Sequence, residues 1–233
     1  MLVNFYNEWE RARGSSFSSD HFFEEFLDAA PASVELLNDG EAGDVVKAIR
    51  FLLSIPMAEF IENIKHTYSF AAKDVVQFSN LDDAITKLCN ILEFEESELS
   101  ILEAGKRLTH AKGDYACIKY GENHSKTAEA LSLVRFTKPN AKKGRVVTNT
   151  SLGSVTTTMS QETKVELIKR LAIRNKTEKA LIFELKNSDH VWYNQFISQA
   201  LSGQTIIRRR TNVKQITSLI LQDNKLLDRI EWY

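Results

Sequence analysis

Only two cysteines, Cys89 and Cys117, occur in the 233 residues. They are too few for a disulfide framework or a cysteine-rich zinc site, and each reads as a small buried apolar residue of a reduced, cytoplasmic protein. Proline and glycine are also sparse, at 3 and 9, which argues against a strand-and-turn architecture. No apolar run approaches the roughly 20 residues of a membrane span. The first residues show no basic stretch leading into an apolar core, so no signal peptide is expected. The sequence also lacks a glycine-rich phosphate loop and a recognisable metal-ligand spacing. Cys117 and His124 have no third group to complete a nucleophilic site, and Asp114, Glu122 and His124 form no zinc pattern. No cofactor or metal is expected.

What is present is helical patterning. Phe22, Phe23, Phe26 and Leu27 fall at helical spacing, as do the apolar residues of 45–53, of 57–68 after Pro56, and of 81–92. Phe5, Tyr6 and Trp9 could anchor a further short helix. The expected class is mainly α, with a helical N-terminal domain followed by a winged helix-turn-helix C-terminal domain that carries a small β-hairpin wing.

The net charge of -1 conceals an asymmetry. Residues 1–99 hold 19 acidic and 7 basic side chains, and residues 100–233 hold 12 and 23. A basic half is the electrostatic footprint of a polyanion-binding protein. The boundary is therefore set between an acidic helical interaction domain at 1–92 and a basic region at 99–233, itself read as two units, about 99–159 and 160–233. Residues 1–92 would meet a protein partner or a second copy of the chain.

The basic region centres on 113–150. Gly121-Glu122-Asn123 reads as a turn between two helices, with Ser125 or His124 capping the second. Residues 135–147 then give two apolar runs around a Pro/Asn/Lys/Gly turn, a hairpin signature. His124, Ser125, Lys126 and Thr127 would sit at the start of a helix in the major groove. Arg135, Lys138, Lys142, Lys143 and Arg145 would place wing cations on the phosphates. Residues 151–159 read as a connector or a last wing strand. Farther on, Arg208, Arg209 and Arg210 precede Thr211, a fair cap for a second basic helix, on which Asn212 and Lys214 would face DNA.

One enzymatic pattern remains. Residues 180–186, ALIFELK, read as an apolar strand ending in Glu184-x-Lys186, the second half of a Mg-dependent nuclease motif. A helix start at Thr177 is the competing reading.

Two segments carry a resemblance. KYGENHSKTAEALSLV with the wing after it, and TIIRRRTNVKQI, resemble the tandem winged helix-turn-helix domains found fused to, or encoded beside, bacterial restriction and phage-defence nucleases. The resemblance covers about 99–221 and implies a duplex-DNA recognition component of such a system. A dimeric transcriptional regulator, a nuclease using Glu184 and Lys186, and a protein-interaction platform that binds no DNA are the alternatives.

Overall fold

A computed structural model describes residues 6–7, 20–28, 35–140 and 144–233, with the backbone alone at 20, 35–36, 137–140 and 144. The anchoring helix expected from Phe5 and Trp9 lies outside the described residues, as do Lys142 and Lys143. The chain is mainly helical with two small sheets. Among the described residues no helix is long and apolar enough to cross a membrane.

The helices are α1 (Asp20–Asp28), α2 (Glu35–Asp39), α3 (Ala42–Ser54), α4 (Met57–Glu62), α5 (Leu88–Phe94, entered through a π turn at Asp83–Lys87), α6 (Ile101–Leu108), α7 (Asp114–Ala130), α8 (Ser151–Thr156), α9 (Gln161–Ala172), α10 (Lys176–Asn187), α11 (Tyr193–Ile197) and α12 (Gln204–Ile220). The strands are β1 (Leu99–Ser100), β2 (Val134–Asn140), β3 (Gly144–Asn149), β4 (Val191–Trp192) and β5 (Ile230–Glu231).

Two compact units result, and neither follows the boundary near residues 92–99. The first comprises 1–17, 30–52 and 77–165, and the second 18–29, 53–76 and 166–233. The charge asymmetry disappears in this regrouping. The first unit holds 17 acidic and 16 basic residues and the second 14 of each.

In the first unit, residues 81–94 present Leu81, Ala84, Ile85, Leu88, Cys89 and Leu92 to the core, a spacing that keeps one helical face dry. Ser100 ends β1 and caps α6: Glu103 N–H donates to its Oγ at 3.2 Å, and its own N–H donates to Glu103 Oε2 at 2.9 Å. Helices α6 and α7 touch through glycine. A Cβ on Gly105 would lie 1.8 Å from the Cys117 carbonyl oxygen, and one on Gly121 2.2 Å from that of Ile101. Strand β3 pairs antiparallel with both neighbours, Val147 opposing Leu99 on one side and Phe136 on the other. Residues 151–156 form helix α8 in place of the expected connector or strand. Thr150 caps it by accepting from Gly153 N–H at 2.9 Å, while its hydroxyl donates to the Ser132 carbonyl at 2.7 Å.

The second unit is built on aromatic packing. Phe22 and Phe26 stack at 5.4 Å between ring centroids, and Phe60 meets Phe23 edge-on at 5.2 Å. Helices α9, α10 and α12 add Leu167, Ile168, Leu171, Leu181, Ile182, Leu185, Val213, Ile216 and Ile220. Strands β4 and β5 pair in parallel, Val191 opposite Ile230.

Helices α1 and α4 have no basic residue in their last turn. Their terminal carbonyls are met instead by Arg174, between α9 and α10, and by cations of α10, which satisfies groups a helix end leaves without partners. Arg174 donates to the Phe26 carbonyl at 3.2 Å, and Lys179 to those around Asp28, whose carboxylate it also pairs at 3.0 Å. Lys186 donates to the carbonyls of Ile61, Glu62 and Ile64 at 3.1, 2.7 and 3.1 Å. Arg170 does the same for α3, donating to the carbonyl of Ile55, just past its end, at 2.9 Å.

Candidate nucleic-acid interface

The turn in the first unit falls earlier than expected. Helix α7 runs without a break from Asp114 through Gly121. The turn before it is residues 109–113, closed by Gly113 at φ 98°, where a side chain would be strained. Gly121 sits inside the helix, where glycine costs about 1 kcal/mol relative to alanine. Its use is close approach to α6, not reversal of the chain.

That shift turns three of the four expected base-contacting residues inward. His124 and Ser125 are fully buried and Thr127 nearly so. His124 Nε2 accepts from the N–H groups of Ser79 and Asn80 at 3.2 and 3.3 Å, and Nδ1–H donates to the Tyr120 carbonyl at 2.8 Å. Both nitrogens are thus engaged in the neutral tautomer, and burial lowers the imidazole pKa below its ordinary value. The Tyr120 ring stacks on His124 at 4.0 Å, and its hydroxyl donates to Asp83 at 2.5 Å. Burial alone would raise the Asp83 pKa. Hydrogen bonds from Lys87 and Tyr120 hold it below the usual carboxylate value instead. Thr127 donates to the Gln77 carbonyl at 3.2 Å. These residues fasten α7 to the loop ahead of residue 81.

Lys126 alone of the four is exposed, and it pairs with Glu122 at 2.8 Å. The outward face of α7 is formed instead by residues ahead of the expected turn: Tyr115, Ala116, Ile118 and Lys119 are all exposed. The signal that could have found them is Gly113, followed by Asp114, whose carboxylate favours a helix N-terminus.

The hairpin forms as expected, β2 against β3. Its residues 134–149 carry five cations and no acid. Arg135 is exposed and ion-paired to Asp39. Arg145 is exposed with its guanidinium 4.2 Å from the Phe136 ring centroid. Lys138 lies within β2.

In the second unit, helix α12 starts at Gln204 after Gly203, at φ 51°, and not at Thr211. The three arginines are therefore mid-helix. Arg208 is exposed and donates to Thr205 at 3.2 Å. Arg209 is half-buried and donates to the Val76 carbonyl at 3.3 Å, and burial lowers its pKa. Arg210 donates to Asn194 at 3.1 Å and lies 5.0 Å from the Tyr233 ring centroid. Lys214 is exposed, 5.7 Å from the same ring. Asn212 is buried, so it cannot read a base edge. Residues 190–222 contain no acid, which leaves the outward face of α12 basic.

Glu184 and Lys186 lie on helix α10, not at a strand end. Glu184 is exposed, while Lys186 is committed to the carbonyls of 61–64. Two residues apart on a helix, they point in different directions and do not form half of a metal-dependent nuclease site. Comparison of the chain with family models, with curated proteins and with solved structures returned no match.

Proposed function

We propose that the chain binds duplex DNA through two winged-helix units, residues 81–149 and 176–231. The observation that carries this reading is a repeated order of elements. In each segment a helix leads into a two-residue strand, β1 or β4, which runs directly into a short helix, α6 or α11. A turn ending in a positive-φ glycine follows, then a 17-residue helix, α7 or α12. A last strand, β3 or β5, returns to pair with the first, antiparallel in the first segment and parallel in the second. This order delivers one long helix per unit for a major groove and one strand edge for a wing. The first unit closes with a basic hairpin, and the second with a 3-10 turn at Lys225–Arg229.

Phosphate neutralisation by the hairpin supplies sequence-independent affinity, and its signature is salt dependence. Binding of the full chain to a random-sequence duplex pool should fall steeply as salt rises. Replacing Lys142, Lys143 and Arg145 with glutamine should flatten the log–log slope by about 0.9 for each phosphate no longer neutralised. An unchanged slope would remove the hairpin from the interface, and absence of binding at low salt would remove DNA altogether.

A further inference from the structure

Resting on that reading, we propose that α7 recognises the C5-methyl edge of pyrimidines in the major groove through Tyr115, Ala116 and Ile118. Tyr115 is 77% exposed and Ile118 39%, although both are apolar enough to belong in a core. They occupy the first two turns of α7, the part of such a helix that reaches base edges. The polar side chains around them are poor hydrogen-bond readers. Lys119 and Lys126 both pair with Glu122, at 3.4 and 2.8 Å, and Asp114 pairs with Lys106 at 2.9 Å. No arginine or glutamine lies between 108 and 134, so the groups there that could select guanine or adenine are Lys112 in the turn, the ion-paired Lys119 and Lys126, and the half-buried Asn123. An apolar face can select only an apolar group, and the major groove offers one, the methyl at C5. Charge favours DNA over a protein as the partner of this unit, because the hairpin that follows α7 is basic and free of acid.

Two bases present that methyl, thymine and 5-methylcytosine. A duplex enriched from the random pool is therefore prepared in three forms: unaltered, with deoxyuridine for thymidine in one half-site, and with 5-methylcytosine for cytosine. Deoxyuridine should weaken binding about fourfold per recognised methyl, the value of one buried methylene-sized group. If 5-methylcytosine is the natural source, it should tighten binding by a similar factor while deoxyuridine does nothing. The double variant Tyr115→Ala/Ile118→Ala should bind all three forms alike with an unchanged salt slope, which a folding defect would not produce. Equal binding of all three forms by the unaltered protein would overturn methyl recognition and leave DNA binding intact. Failure of every duplex to bind would instead sink the reading beneath it. A dimer of the unaltered chain that the double variant abolishes would assign the face to a second copy.

Discussion

Arg145 and Arg170 carry the same group into opposite settings. Arg145 lies exposed over Phe136 on a hairpin with no acid. Arg170 has a side chain 6% exposed, with its donors directed at Glu166 and the carbonyl of Ile55. Arg174, Lys179 and Lys186 stand with Arg170, closing helix ends in the second unit. A count of basic residues along the chain cannot distinguish them from Arg145. Four of the 23 basic residues of 100–233 meet carbonyls at the ends of helices before residue 65 that have no cation of their own in the last turn. Part of the charge split is therefore a folding feature, and a count along the chain overstates what is left for a polyanion.

The sharpest way to break that contrast is to remove one cation of each kind. Arg170→Met keeps the stem over Phe60 and deletes the donors, leaving buried carbonyls without partners. It should lower stability by about 3 kcal/mol in urea unfolding. Arg145→Met should change it by under about 0.5 kcal/mol, as for an exposed substitution. Equal losses in the two variants would show that exposure does not sort the cations by role.

A second test uses pH, because burial moves a group in each unit out of its ordinary range, Glu178 in one and His124 in the other. Glu178 is fully buried; Thr217 donates to Oε2 at 2.7 Å and Oε1 has no partner, so burial pushes the carboxyl up to about 8. The folded state therefore holds a proton that the unfolded chain releases near its ordinary 4.5. Stability is full below that value and declines as pH rises towards 8. His124 has the opposite sense. Its pKa lies below 6.5, so stability is full above 6.5 and falls as acid protonates the unfolded chain. Glu178→Gln should flatten the decline between pH 6.5 and 8, and His124→Gln the one below 6.5. Calorimetric midpoints that keep the parent's slope in either window would show that the group titrates normally.

How far the sequence could be read follows from the same physics. The helices at 20–28, 42–54 and 101–108 and the hairpin at 134–149 were legible because apolar period, caps and turn residues agree. The glycine at 121 was not, because a glycine that ends a helix and one that lets two helices touch look alike until the partner is known. Its neighbours across the helix pair lie 16 to 20 positions earlier. Reading it as a turn moves the helix start by about ten residues and turns His124, Ser125 and Thr127 from a buried fastening into a DNA-reading face. The hairpin itself is untouched by that misreading, because its strand pairing is local. Asn212 fails for the same reason as His124, since the start of α12 is fixed by Gly203 and not by Thr211. Glu184 and Lys186 fall on a strand only if a short apolar run is read that way, and such a run fits a buried helix equally well.

The smallest expected effect bears on Arg135, the hairpin cation held by an acid within its own unit. The Arg135–Asp39 pair is roughly half exposed on both sides, so Arg135→Gln should cost under about 1 kcal/mol of stability. Its role in binding is read from Asp39. If Arg135 must leave that carboxylate to reach a phosphate, Asp39→Asn releases it and removes a nearby repulsive charge. Affinity for duplex DNA should then rise by roughly threefold at low salt, the scale of an exposed ion pair, with the gain fading as salt screens both interactions. In the double variant Asp39→Asn/Arg135→Gln most of that gain should vanish, because the freed cation is gone. If Asp39→Asn strengthens binding equally with and without Arg135, the carboxylate acts only through its own field, and Arg135 belongs with the structural cations of the second unit rather than with its neighbours on the hairpin.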